Sequence, residues 1–207
     1  MRAFHATLGT VPFDLYLDSD FSAPLHSNVA FGEVTDEADA ISDTVLNTYT
    51  EAGNVGAVLF ESELVTVAGS RNTRFLIGDP TTLDTILTVD NLRPSEDATR
   101  IRFVHTAFNL QLLDVYVVRR GEELGDLTLP FLNNFRYPGN SEYVGIPGEN
   151  YDIYITESTS QELYAGPIPL DLSPGDVSHI VILDTVDPNV VDVIEYDRAS
   201  LDQPAPN

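Results

Sequence analysis

The sequence predicts an all-β protein built from two tandem antiparallel β-sandwich domains of the Ig-like or Greek-key kind. Three observations support this prediction: residues that recur at a spacing of 100, short β-branched or aromatic segments, and turn residues between those segments. With 207 residues, the chain is long enough for two such domains, each with its own core. Its hydrophobic share of 43% is typical of a folded globular protein.

The internal repeat is the strongest of these features. His5 and His105 are 100 residues apart, and each follows an arginine and two apolar residues in the segments RAFH and RFVH. At the same spacing, FDLYL at 13–17 matches LDVYV at 113–117. These two matches, and a third between Phe31 and Phe131, share one offset and indicate a duplicated unit.

The domain bounds follow from the repeat. Phe31 and Phe131 are also 100 residues apart, so the offset persists into the middle of each copy. We predict domains at 1–92 and 98–199, joined by a short proline-containing linker, and a frayed proline-rich tail at 200–207.

The segments within each copy have the pattern of strands. Residues 114–118, 151–155 and 179–183 are short and rich in Val, Ile and Tyr. Between them lie turn sequences such as PGEN at 147–150 and SPGD at 173–176. One segment has two interpretations: the acidic residues 34–47 are either a helix or an irregular loop.

The charge and composition exclude several function classes. A net charge of −23 repels nucleic-acid phosphates and anionic lipid headgroups, so we predict no nucleic-acid partner. The absence of cysteine excludes disulfides, thiolate metal sites and cysteine nucleophiles. No apolar stretch is long enough for a transmembrane segment. The acidity itself suits either solubility, including that of a saline habitat, or cation binding.

The segments RFVHTA at 102–107 and LDVYV at 113–117 resemble the opening of a bacterial family, domain of unknown function 4397. Phe131, the turn and strand IPGENY at 146–151, and Gly175 before the closing strand continue the resemblance. The first copy lacks a Pro-Gly turn where 146–151 would map. The resemblance implies a tandem pair of exported domains, whether periplasmic, lipid-anchored or on the cell surface. It also implies a leader that is missing from this chain.

A histidine and an aspartate, nine residues apart, occur in both copies as His5 with Asp14 and His105 with Asp114. Such a pair has the residue types of a general base and its orienting carboxylate. The alternative is a structural hydrogen bond that fixes the first hairpin of each domain. Because the pair is duplicated and no nucleophile keeps a fixed spacing to it, we predict that each pair is structural and that the chain has no catalytic residues.

Acidic residues in turns are weak candidates for a metal site. Asp18 with Asp20, and Asp184 with Asp187, supply the oxygen ligands that calcium prefers. None lies in a loop with the spacing and central glycine of a strong calcium motif. We therefore predict no cofactor and keep calcium as an alternative. Tyrosines in the predicted strands are either core packing or a ligand platform.

Three functions remain at this point. The first is a non-catalytic, exported or envelope-associated binding or structural module. Its candidate partners are other envelope proteins or cell-surface polymers. The second is a calcium-dependent adhesin or surface-layer component. The third is a hydrolase that uses a His–Asp pair, which requires His5 or His105 to lie in a cleft.

Overall fold

We describe a computed structural model that covers residues 1–17, 21–39, 44–65, 69–91, 93–94, 96, 99–125 and 127–199. Every regular element in these residues is a β-strand, which confirms the predicted all-β class. None of the described residues belongs to a helix that could cross a membrane. The chain divides into two compact units, Met1–Asn91 and Leu92–Asn207.

The first unit is a sandwich of two sheets with strand orders β1-β6-β7 and β3-β2-β4-β5. Its strands are β1 (Arg2–His5), β2 (Phe13–Tyr16), β3 (His26–Val29), β4 (Thr44–Glu51), β5 (Asn54–Val65), β6 (Arg71–Asp79) and β7 (Thr82–Asp90). Ala3 and Leu76 of one sheet pack with Phe13, Leu15 and Tyr49 of the other. The apolar residues that alternate along these strands therefore meet between the sheets.

The second unit repeats this architecture with strand orders β11-β8-β15-β16 and β10-β9-β13-β14, while β12 also pairs with β8. Its strands are β8 (Thr99–His105), β9 (Leu112–Arg119), β10 (Leu132–Arg136), β11 (Gly139–Asn140), β12 (Val144–Ile146), β13 (Asn150–Glu157), β14 (Leu163–Asp171), β15 (Val177–Asp184) and β16 (Val191–Ala199). The core joins Phe103 and Ile180 of the first sheet to Val115, Ile153 and Ile155 of the second. The prediction of two β-sandwich domains is confirmed.

The pairing differs from an all-antiparallel sandwich at one place in each unit. β1 runs parallel to β6, and β8 runs parallel to β15. Parallel partners need a long connection, and here that connection supplies the whole opposite sheet. The other strand pairs in the described residues are antiparallel.

The strand registers show that the two units are copies of one arrangement. His5 lies opposite Leu76 in the first unit, and His105 lies opposite Ile182 in the second. On the facing sheets, Leu15 pairs with Tyr49, and its counterpart Val115 pairs with Ile155. The correspondence between the two units therefore extends to individual backbone pairs.

One matched pair of the sequence analysis is wrong. Phe31 lies edge-on to His5 at 6.0 Å between ring centroids, whereas Phe131 contacts Phe103. The residue that takes the place of Phe31 is Tyr137, which lies edge-on to His105 at 5.8 Å. The longer connection before β10 shifts the spacing, so the constant offset fails there.

The acidic segment 34–47 forms no helix in the part that the structure describes. Val34 makes an isolated bridge with Phe4, and β4 already begins at Thr44. Residues 40–43 of this segment and the tail at 200–207 lie outside the described residues.

The predicted domain bounds can be tested by separate production of residues 1–92 and 98–199. Because each unit buries its own core between two sheets, we expect both fragments to fold. The measurement is thermal unfolding by circular dichroism, with the intact chain as the control. Loss of cooperative unfolding in either fragment would contradict these bounds.

Candidate functional site

The two strand histidines are buried, and their surroundings are aromatic. The ring of His5 packs on Phe13 at 5.2 Å and on Phe31, and both histidines are 0% exposed. His105 packs on Phe135 at 5.5 Å and on Tyr137. Neither ring faces a cleft among the described residues.

The predicted His–Asp bonds are wrong in both units. His5 contacts Phe13, and Asp14 is the next residue of β2, so its side chain points to the opposite face of the sheet. The Nε2 atom of His5 lies 3.2 Å from the carbonyl oxygen of Val11, while Nδ1 accepts from the Thr7 amide. These partners identify a neutral ring that donates through Nε2.

The two aspartates instead hold matching irregular turns. The Asn28 amide donates to Asp14 Oδ1 at 2.7 Å, and the Asn134 amide donates to Asp114 Oδ1 at 2.7 Å. Both asparagines have left-handed backbones, with φ of 53° and 51°, at register shifts beside β2 and β9. Asp14 also accepts from the Gly53 amide at 2.7 Å. Each aspartate therefore has a structural role, but it bonds to backbone amides and not to the histidine of its unit.

Burial also fixes the charge state of the histidines. It lowers the pKa of His5, and it lowers the pKa of His105 to about 3, because an imidazolium ring loses its hydration inside the protein. The nearby backbone of Leu110 partly opposes this lowering of the His105 pKa. A buried, neutral ring apart from its aspartate cannot serve as an oriented general base, so the His–Asp hydrolase hypothesis is wrong.

The acidic turn residues do not converge on a metal site in the part of the chain that the structure describes. Asp184 accepts from the amides of Phe108 and Asn109, at 2.7 and 3.1 Å, and Asp187 accepts from Asn189. No group of three or more potential metal ligands occurs among the described residues. Asp184 and Asp187 therefore each stabilise a loop through backbone amides, and a calcium role for this pair stays a prediction. The other candidates, Asp18 and Asp20, lie outside the described residues.

A groove lies on the outer face of the sheet β10-β9-β13-β14. Its volume is 600 Å³, within the usual range for small-molecule sites. The residues that line it come from β9, from β10 and the loop before it, and from the turn after β13. They are Asp114, Tyr116, Leu127, Thr128, Leu129, Pro130, Asn133, Ser158, Thr159, Ser160 and Gln161. Gln161 Nε2 donates to the Tyr116 hydroxyl at 3.2 Å, which holds the floor of the groove to its wall.

The loop before β10 also presents apolar side chains to solvent. Leu127 is 95% exposed and Leu129 is 86% exposed. Between them, Thr128 lines both the groove and a second cavity of 360 Å³ beside Phe131 and Tyr151. The Gly125 amide donates to Thr128 Oγ1 at 3.0 Å, so this turn of the loop is fixed while the two leucines project outwards.

An aromatic and cationic cluster covers the outer face of the other sheet in the second unit. The Tyr143 hydroxyl lies 2.6 Å from His179 Nε2, and the Tyr196 ring packs on the other side of that histidine. The guanidinium groups of Arg100 and Arg102 lie over the Tyr143 ring, at 5.2 and 4.7 Å. The sequence analysis missed this cluster, because its members come from β8, β15, β16 and a loop that are far apart along the chain.

Comparisons with known proteins identify the family. A family model described as "Domain of unknown function (DUF4397)" matches residues 1–116. No curated protein matches the chain. The solved structures that match include the carbohydrate-binding module CBMbc (family CBM26) of Eubacterium rectale Amy13K in complex with maltoheptaose. It is 12% identical, the alignment covers 100% of this chain and 99% of that one, and the TM-score is 0.30. A likeness at this TM-score does not bear on the ligand of this chain.

The aspartate contacts predict an order of stability among variants. Asp14→Ala should destabilise the first unit more than Asp114→Ala destabilises the second, because Asp14 accepts from two backbone amides. Each lost bond to a charged acceptor is expected to cost about 1–3 kcal/mol. Urea unfolding measures both variants, and Asp187→Ala in an exposed turn is the control. Equal losses in all three variants would contradict this assignment.

The burial of His105 predicts an acid-sensitive second unit. The folded pKa of about 3 lies below the ordinary value of 6.5, so the unfolded chain binds more protons between these pH values. Stability contributed by the neutral ring is therefore present above pH 6.5 and is lost as the pH falls towards 3, by up to about 1.4 kcal/mol per pH unit. His105→Phe should flatten this dependence in urea unfolding measured at a series of pH values. An unchanged slope in the variant would show that other groups cause the acid sensitivity.

Proposed function

The chain belongs to the family called domain of unknown function 4397, and we propose that it is a non-catalytic binding module of the cell envelope. We further propose that its second unit is another copy of the same domain. The matching strand registers and the matching roles of Asp14 and Asp114 support this second proposal.

The observation that carries the binding role is the groove on the outer face of the second unit. Its walls combine exposed apolar side chains, Leu127 and Leu129, with the amide and hydroxyl groups of Asn133, Ser160 and Gln161. Apolar contacts with a few directed hydrogen-bonding groups are typical of small-molecule sites.

The chemistry of the groove favours a neutral, hydroxylated ligand. Asp114 contributes its carboxylate, but Oδ1 already accepts the Asn134 amide. The exposed side chains of Asn133 and Thr159 offer amide and hydroxyl groups to a hydroxylated ligand. A net charge of −23 disfavours polyanions. A saccharide segment of a cell-surface polymer fits these conditions.

The envelope location belongs to the same proposal. It rests on the family resemblance given above, and fractionation of cells that produce the protein from its own gene tests it. Recovery of the protein only from the cytoplasm would contradict it.

The groove is tested by affinity electrophoresis through gels that contain soluble neutral polysaccharides, such as glucans, xylan and mannan. We expect at least one polymer to retard the intact chain. Leu129→Asp and Gln161→Ala should weaken that retardation, because they change an apolar wall and a hydrogen-bonding group.

Val186→Asp is the matched control for Leu129→Asp, since Val186 is 93% exposed in a different loop. The control variant should bind as the unmodified chain does. Two results would contradict the proposal: no retardation in any polymer, or equal weakening by Leu129→Asp and Val186→Asp.

A further inference from the structure

At four corresponding positions, the interior of the first unit has polar side chains where the second unit has isoleucine. In the second unit these positions are Ile153, Ile155, Ile168 and Ile180, which pack together between the sheets. The strand registers place four polar residues there in the first unit: Asn47, Tyr49, Ser62 and Arg74.

Arg74 is the most unusual of these residues. It lies on the inner face of β6, two residues before the core residue Leu76, and it is only 2% exposed. Its neighbour across the parallel pair is Ala3, where the second unit has the much larger Phe103. The small alanine leaves room for the arginine side chain between the sheets.

The guanidinium of Arg74 has hydroxyl neighbours and lacks a carboxylate among the described residues. Nη1 donates to Ser62 Oγ at a long 3.5 Å, and Nε has no hydrogen-bond partner within the described part of the chain. Burial raises the pKa of Tyr49, and the positive charge of Arg74 and its side-chain hydrogen bond with Tyr49 oppose that rise. Glu61 and Glu63 flank Ser62 on β5, so their side chains point to the opposite face.

A buried cation without a counter-charge is costly, and four isoleucines at the same positions show that this fold does not need one. We propose that the first unit binds a small carboxylate between its sheets, with the anionic group on Arg74 and the hydroxyls of Tyr49 and Ser62 as further donors. The guanidinium edge matches the two oxygens of a carboxylate.

The surroundings specify a carboxylate with a short hydrocarbon tail. The Tyr49 ring contacts Phe60 at 6.1 Å between centroids, and Leu76 and Leu87 are also part of this apolar cluster. Leu83 of β7 is only half-buried, whereas its counterpart Val191 in the second unit is buried. The first interior is therefore less completely closed, and its walls offer apolar contacts to a tail.

The test is calorimetric titration of the intact chain with acetate, butyrate and hexanoate, at constant pH and ionic strength. We expect saturable binding that strengthens with tail length, because each methylene adds buried apolar area. Chloride and phosphate at the same ionic strength are the controls for general screening of charge. No saturable heat with any carboxylate, or equal effects of butyrate and chloride, overturns the proposal without any variant.

Arg74→Ile copies the second unit at this position. We expect it to weaken butyrate binding roughly 100-fold or more, since it removes the buried charge. Arg71→Ile is the matched control, because Arg71 lies on the same strand but pairs with Glu37 at the surface. Equal butyrate binding by both variants overturns the proposal.

Stability of the ligand-free chain gives a second readout. We expect Arg74→Ile to raise the melting temperature, because it replaces a buried cation, which has no carboxylate partner in the described part of the chain, with the apolar residue of the second unit. If that variant does not fold, Tyr49→Phe and Ser62→Ala replace it in the titration, and each should weaken butyrate binding. Unchanged affinity in both of these variants overturns the assigned donors.

Discussion

The rest of each unit depends on the alternation of side chains along its second strand. Phe13 and Leu113 face inwards and help to form the core, while the next residues, Asp14 and Asp114, face outwards and accept backbone amides from Asn28 and Asn134. Of two successive residues, one therefore packs in the sandwich interior and the next holds the turn at Asn28 or Asn134 on the outer face of the sheet. Because the period is two, the strand histidine can pack on the inward residue but cannot also bond its neighbour. This one constraint explains why the same histidine and aspartate recur without forming a pair.

The two units have interiors that solve the same packing problem with different chemistry. The second unit fills its core with isoleucine, and its notable polar features lie outside, in the groove and in the cluster around His179. The first unit keeps Arg74 and Tyr49 inside. Such a difference is possible because backbone pairing fixes the sheet registers, so side chains at matched positions differ while the architecture remains the same.

The sequence predicted the all-β class and the position of several strands, since period-two patterns and turn residues are local signals. It did not predict the parallel pairs, because strand order depends on which distant strands meet. The His–Asp pair failed for the same reason: spacing along the chain does not report which face a side chain occupies. Phe31 was matched to Phe131 because a constant offset cannot detect a longer loop.

Neither the groove nor Arg74 has a sequence signature. Only an alignment of β6 with β15 would have revealed Arg74, because it shows a charged residue at the position that Ile180 has in the second unit.

The parallel pairing of the first strand has a consequence for how the chain folds as it is synthesised. Arg2 pairs with Thr73, and Arg100 pairs with Val177, so each unit joins its beginning to a strand near its end. Contacts of such long sequence separation slow folding, because the entropy of a large loop is lost before the contact forms. On the ribosome, the core face of the first strand therefore stays uncovered until most of its unit has emerged. Nascent chains of this architecture depend on keeping that strand from pairing with other chains in the meantime.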